Sequence, residues 1–128
     1  MIVVDTSVWI AASRQPILAG VLRELIDADE VAMALPTRLE LLTGTARHQR
    51  AAFKRTIRSI PLLHPTDETW RPLPEWIERA SDSGHQFGLI DLLIASLAVE
   101  IGGLVWSLDK DFERMEQLKL VSLYSLPH

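Results

Sequence analysis

Short apolar, β-branched runs alternate along the chain with stretches of helical periodicity. Ile2-Val3-Val4 stops at Asp5-Thr6-Ser7, which predicts a buried strand feeding a short helix over 8–13, with Thr6 or Ser7 as the cap. Ile17, Leu18, Val21, Leu22, Leu25 and Ile26 follow a 3.6-residue period behind Pro16 and predict a helix reaching Asp27. Residues 31–35 predict a second strand, ended by Pro36. Thr37 then caps a helix carrying Leu39, Glu40, Leu41 and Leu42, closed by Gly44. A basic helix over 46–59 and a short strand over 60–63 come next. Thr66 caps a helical region that Pro72 and Pro74 break before a segment over 75–80 and a loop over 81–84. Residues 89–101 read as an almost wholly apolar helix closed by Gly102-Gly103. A strand over 104–108 ends at Asp109, residues 111–118 are helical, and residues 120–124 supply a last strand.

The strands lack polar alternation and are separated by helices. That is the pattern of an α/β fold with a short parallel sheet of four to five strands and helices on both faces. No repeat, linker or low-complexity tract divides the 128 residues, so residues 1–128 are expected to form one domain. In such folds ligands bind beyond the carboxyl ends of the strands. Asp5 and Asp109 each stand at such an end, which places them on one edge without making them neighbours.

Glu40 and Asp91 are acids of another kind, because each interrupts an apolar stretch: Leu39-Glu40-Leu41-Leu42 and Leu89-Ile90-Asp91-Leu92-Leu93-Ile94-Ala95. A carboxylate on a helix that is apolar all round needs a partner or a polar cavity. Four converging acids would repel one another, and a divalent cation such as Mg²⁺ or Mn²⁺, which favours carboxylate oxygens and water, resolves the conflict. Each acid also has a structural reading. Asp5 fits a helix cap, Asp91 a first helical turn favoured by the helix dipole, Glu40 a surface pair with Arg38 or Arg47, and Asp109 or Asp111 the start of the last helix. The four together on one sheet edge are harder to explain that way.

Composition narrows the chemistry. The hydrophobic fraction of 48% is enough for one core, and the net charge of −4 argues against a protein that grips nucleic acid by overall positive charge. A nuclease survives that test, since bound cations reverse the local sign of an acidic site. The absence of cysteine excludes disulfides, thiolate zinc sites and cysteine nucleophiles. His48, His64, His85 and His128 have no zinc-binding spacing. The strand pattern that begins at Ile2 leaves no room for a signal peptide, and no apolar run is long enough for a bilayer, so a soluble cytoplasmic protein without membrane contact is expected.

With those motifs in place, the chain resembles the PIN-domain nucleases, and among them the VapC-type toxins of type II toxin–antitoxin pairs. The likeness covers essentially the whole chain. Ile2-Val3-Val4-Asp5-Thr6-Ser7-Val8-Trp9-Ile10 is similar to the family's strand–Asp–Thr/Ser opening, and Leu39-Glu40-Leu41-Leu42-Thr43-Gly44 to its second acidic helix. Ile90-Asp91-Leu92-Leu93-Ile94-Ala95-Ser96 is similar to its third acidic segment. Trp106-Ser107-Leu108-Asp109-Lys110-Asp111-Phe112 resembles its last motif, in which a hydroxyl residue precedes the acid by two places. The chain departs from the family in Phe87-Gly88-Leu89-Ile90, where relatives more often place a small or polar residue before the acid. It also offers both Asp109 and Asp111 in the last motif. Asp109 is preferred because it follows the strand directly, with Asp111 assisting or facing solvent.

The resemblance implies a PIN-like three-layer fold and hydrolysis of RNA phosphodiesters with Mg²⁺ or Mn²⁺. Asp5 and Asp91 would be direct ligands, and Glu40 and Asp109 would act directly or through water. Thr6, Ser7 and Ser107 would hydrogen-bond a carboxylate, a water or a phosphate, although capping explains them equally well. It also implies a cognate antitoxin and a homodimer. Arg47, Arg50, Lys54 and Arg58 recur at helical spacing beside Arg55, either as a solvated face or as a guide for the RNA backbone. Trp9 and Trp106 read as core, while Trp70 and Trp76 stay open. The rivals are a stand-alone PIN-type RNA-processing nuclease and a catalytically silent binding module of the same fold. A haloacid-dehalogenase-like phosphatase is disfavoured because Asp5 is not followed by a second Asp two places on. A receiver domain is disfavoured by the absence of paired acids at the first strand end.

Overall fold

In the computed structural model, which describes residues 1–126, four parallel strands lie in the order β3-β2-β1-β4. His128 is outside the described residues. The strands are β1 (Ile2–Val4), β2 (Val31–Ala34), β3 (Leu62–Leu63) and β4 (Leu104–Trp106). The helices are α1 (Thr6–Ala12), α2 (Pro16–Asp27), α3 (Leu35–Gly44), α4 (Arg50–Ile57), α5 (Asp67–Trp70), α6 (Leu73–Asp82), α7 (Leu89–Glu100) and α8 (Lys110–Gln117). From β1 the chain moves outward to β2 and β3, then returns to place β4 on the other side of β1. The pair β1–β4 is therefore the point where the strand order reverses, and its carboxyl end is where such sheets form a crevice.

Side chains alternate across the strands and divide the core in two. Val3, Ala32, Ala34 and Val105 face α6, α7 and α8, where Trp76, Ile94, Phe112 and Met115 fill the space. Ile2, Val4, Val31, Met33 and Trp106 face the other way, toward Val8, Leu18, Leu22 and Ile57 of α1, α2 and α4. Small residues at 32 and 34 leave room for α7, whose residues 92–98 are all buried, as a helix apolar on every side requires. α5 is fastened to α7 by polar contacts: Ser96 Oγ donates to the Thr69 carbonyl at 2.6 Å, and the Thr69 hydroxyl donates to Glu100. At the end of α7, Gly102 takes φ +64°. A Cβ on Gly103 would stand 2.8 Å from the Met1 carbonyl, so glycine lets β4 begin beside β1.

Several boundaries differ from the sequence expectation. Asp5, not Thr6 or Ser7, caps α1, because its carboxylate reaches the Ser7 N–H. α3 starts at Leu35 with Pro36 in its first turn, so Thr37 is helical and fully buried rather than a cap. The basic segment divides into a 3-10 turn (Arg47–Gln49) and α4. Pro72 and Pro74 sit at the start of α6, where a missing N–H costs nothing, and that helix runs on to Asp82. β4 ends at Trp106, and residues 120–124 make only one bridge, Val105 to Leu123. Trp76 and Trp106 are buried, Trp9 is half-buried and Trp70 exposed. No helix among the described residues is long and apolar enough to cross a membrane.

Candidate active site

The carboxyl ends of β1 and β4 are joined by hydrogen bonds that continue past the strands. The Asp5 N–H donates to the Trp106 carbonyl at 2.9 Å, which brings the Asp5 side chain beside Ser107. Ser7 Oγ and Ser107 Oγ each lie 2.8 Å from Asp5 Oδ2 and 3.2 Å from each other. A hydroxyl has one proton to give, and a charged acceptor makes the stronger bond, so both protons point at Asp5. The oxygens then accept from the backbone: Leu108 N–H reaches Ser7 Oγ and Asp109 N–H reaches Ser107 Oγ, both at 3.0 Å. Asp5, only 6% exposed, is thus clamped between the turn after β1 and the turn after β4.

Asp109 is exposed and caps α8, its Oδ1 accepting from the Asp111 N–H at 2.9 Å. One turn of chain therefore brings both acids to the site. Oxygens of Asp91, Asp109 and Asp111 lie within 4.8 Å of one another. Asp111 is also bridged by Arg114 at 2.7 Å. Asp91 occupies the first turn of α7, half-buried, and among the described residues no protein N–H or O–H donates to its carboxylate. Burial, and then the charges of Asp5, Asp109, Asp111 and Glu40, push its pKa up from an ordinary 3.8 to about 6. Asp91 is thus the place where the other acids are felt together.

Glu40 stands farther out. It is exposed on α3, accepts a long 3.4 Å bond from Thr6 Oγ1, and opens onto a groove of about 460 Å³ lined by Trp9, Ile10, Leu41 and Phe53. Trp9 lines that groove, and its buried Nε1–H has no acceptor among the described residues. Hard oxygen donors at this spacing, with no cation on Asp91, fit a divalent metal such as Mg²⁺ or Mn²⁺.

The family model of the PIN domain matches residues 2–118. The chain belongs to the PIN domain family. PIN domains are in general nucleases, and they generally use a divalent metal. No curated protein matches the sequence significantly. Among solved structures, the chain is similar to VapBC2 from Rickettsia felis bound to a DNA fragment from their promoter, with TM-score 0.80 and 16% identity over 99% of this chain and 100% of that one. It is similar to VapBC-1 from nontypeable Haemophilus influenzae, with TM-score 0.77 and 21% identity over 98% of each chain. VapBC-5 from Mycobacterium tuberculosis, a member of the VapBC family of toxin–antitoxin systems, gives TM-score 0.71 and 25% identity over 97% of each.

Within this PIN domain the acids named from sequence are not equivalent. Asp91 and Asp109 converge, Asp111 joins them, Asp5 is held beside them by two serines, and Glu40 lies at the rim. The pairing of Arg114 with Asp111 is not among the sequence expectations, although its i,i+3 spacing is a signal that could have found it. Arg47, Arg50, Lys54 and Arg58 are exposed, and Arg47 lies on the 3-10 turn rather than on α4.

Proposed function

We propose that this PIN domain is a metal-dependent endoribonuclease, the toxin of a toxin–antitoxin pair. The observation that carries the reading is the group of Asp91, Asp109 and Asp111, with oxygens within 4.8 Å of one another beside a clamped Asp5. These residues would hold Mg²⁺ or Mn²⁺. When bound, the ion polarises the scissile phosphate and the attacking water. Asp91, Asp109 and Asp111 would offer the ion carboxylate oxygens from three side chains, and Asp5 is kept in one rotamer by Ser7 and Ser107. Glu40, exposed and hydrogen-bonded by Thr6, would orient the water or accept its proton. Arg47, Arg50, Lys54 and Arg58, all exposed, would offer the RNA backbone positive charge.

Two features support protein partners. The groove that leads from Glu40 along Trp9, Ile10 and Phe53 has an apolar lining that suits an antitoxin segment. Leu39, Ile90 and Leu108, each next to a site acid in sequence, are 53%, 44% and 53% exposed, which supports a homodimer packed along the rim. A cytoplasmic location fits both.

The test is cleavage of RNA by purified protein. We expect cleavage with Mg²⁺ or Mn²⁺, abolition by chelator, and loss in Asp5→Asn with the fold intact by circular dichroism. Cleavage in excess chelator, or a fully active Asp5→Asn, overturns the reading.

A further inference from the structure

The cations of α4 and its approach do not form one stripe. Lys54 and Arg58, four residues apart, share a groove of about 360 Å³ with Arg38 of α3, and Arg47 and Arg50 do not line it. Its floor is apolar, made by Met33, Ile57 and Ile60. Among the described residues no carboxylate pairs with Arg38, Lys54 or Arg58. In a chain of net charge −4, three unpaired cations around one concavity make a local well for an anion.

The groove is also well placed. Arg38 precedes Glu40 by two positions, more than half a helical turn, so it leaves α3 on roughly the opposite side. Glu40, at the rim of the acidic site, and the basic groove are therefore on opposite sides of α3, about one helix diameter apart, ~10–12 Å. The acids repel a polyanion, so affinity for one has to be supplied outside them. Two arginines, whose planar forks match phosphate oxygens, and a lysine offer that within reach of a flexible strand.

We infer that the groove bounded by Arg38, Lys54 and Arg58 holds the phosphate backbone of single-stranded RNA a few nucleotides from the bond that is cut. This rests on the ribonuclease reading above. The experiment measures fluorescence anisotropy of a labelled single-stranded oligoribonucleotide on Asp5→Asn protein in Mg²⁺, across a salt series. Adding Arg38→Ala, Lys54→Ala and Arg58→Ala should weaken binding at least about tenfold. It should also lower the slope of log K against log salt by about 2, at ~0.7 for each phosphate no longer neutralised. Arg47→Ala with Arg50→Ala should change the slope less, and single Arg38→Gln should remove about one phosphate's share even if the triple variant misfolds. Unchanged affinity and slope in folded variants overturn the inference. So does a triple variant that keeps RNA but loses polyglutamate, which would assign the groove to an acidic protein segment. Parental protein that neither binds nor cuts RNA fails the ribonuclease reading itself, a result separable from loss at the groove alone.

Discussion

Asp5 and Asp91 sit in one site, yet the fold treats them in opposite ways. Asp5 is almost fully buried, and its Oδ2 receives two hydroxyls and a backbone N–H, with two further amides holding the hydroxyls in place. Asp91 stands on a helix whose next seven residues are buried, receives no donor from the described residues, and has carboxylates for neighbours. One acid is satisfied from within. The other is left with a charge that only something from outside relieves. The difference separates an anchor, which fixes the geometry of the strand ends, from a docking point, which draws in a cation.

The sharpest way to break the comparison is to neutralise each acid in turn. Both Asp5→Asn and Asp91→Asn should lower RNA cleavage by more than about 100-fold, beyond the 10–100-fold expected for a residue that only supports a ligand. They should differ in metal binding. Asp91→Asn should abolish the thermal stabilisation that Mg²⁺ gives the parent, while Asp5→Asn should weaken it and leave a measurable remainder. Equal stabilisation of parent and Asp91→Asn in a Mg²⁺ titration followed by melting would remove Asp91 from the ion's shell.

A smaller effect should follow from loosening the anchor. Ser107→Ala removes one hydroxyl from Asp5 and the acceptor of the Asp109 N–H, so it touches two acids at once. Cleavage should fall about 10–100-fold, with part of the loss recovered at high Mg²⁺. Ser7→Ala takes a hydroxyl from Asp5 and an acceptor from Leu108 N–H, and should fall less because Asp109 keeps its support. If Ser107→Ala shows parental activity at low Mg²⁺, the clamp is ordinary strand-end polarity.

The strands, the apolar α7 and the acids are legible in the sequence, because each is a local pattern of side-chain types. The isolated acids in apolar runs stand out since a buried charge is anomalous wherever the chain goes. What the sequence does not reveal is whatever depends on competition between local groups. Thr6 and Ser7 both suit a cap for α1, but Asp5 reaches the N–H first and Ser7 is taken by Asp5 and Leu108. The strand expected over 104–108 stops at Trp106, because beyond it Ser107 turns to Asp5 and Asp109 to the start of α8. That same capping turn brings Asp111 to Asp91 together with Asp109, so position along the chain does not choose between them. Arg38 gives no sign in the sequence of belonging to a basic groove, because its companions come from another helix. They become neighbours only where residues of α3, α4 and the β2–β3 edge line one groove.

The last and smallest prediction turns the comparison into a stability measurement without metal. The folded state holds a proton on Asp91 up to about pH 6, against an ordinary 3.8 for the unfolded chain. Between those values the folded protein binds more protons, so Asp91's contribution is fully present below about pH 4. It is lost as pH rises through 6. Asparagine has no charge to desolvate, so metal-free Asp91→Asn should be more stable than the parent at pH 7. Because the carboxylate is only half-buried and partly screened, the gain should be about 1 kcal/mol, on the order of 4 °C in melting temperature. The gap should close by about pH 4 and reverse in saturating Mg²⁺, which stabilises the parent alone. Melting curves of both proteins at pH 4 and pH 7, with chelator and with Mg²⁺, check each sign. A parent as stable as Asp91→Asn at pH 7 in chelator would mean that the acids do not oppose one another in the empty site, and the contrast with Asp5 would lose its physical basis.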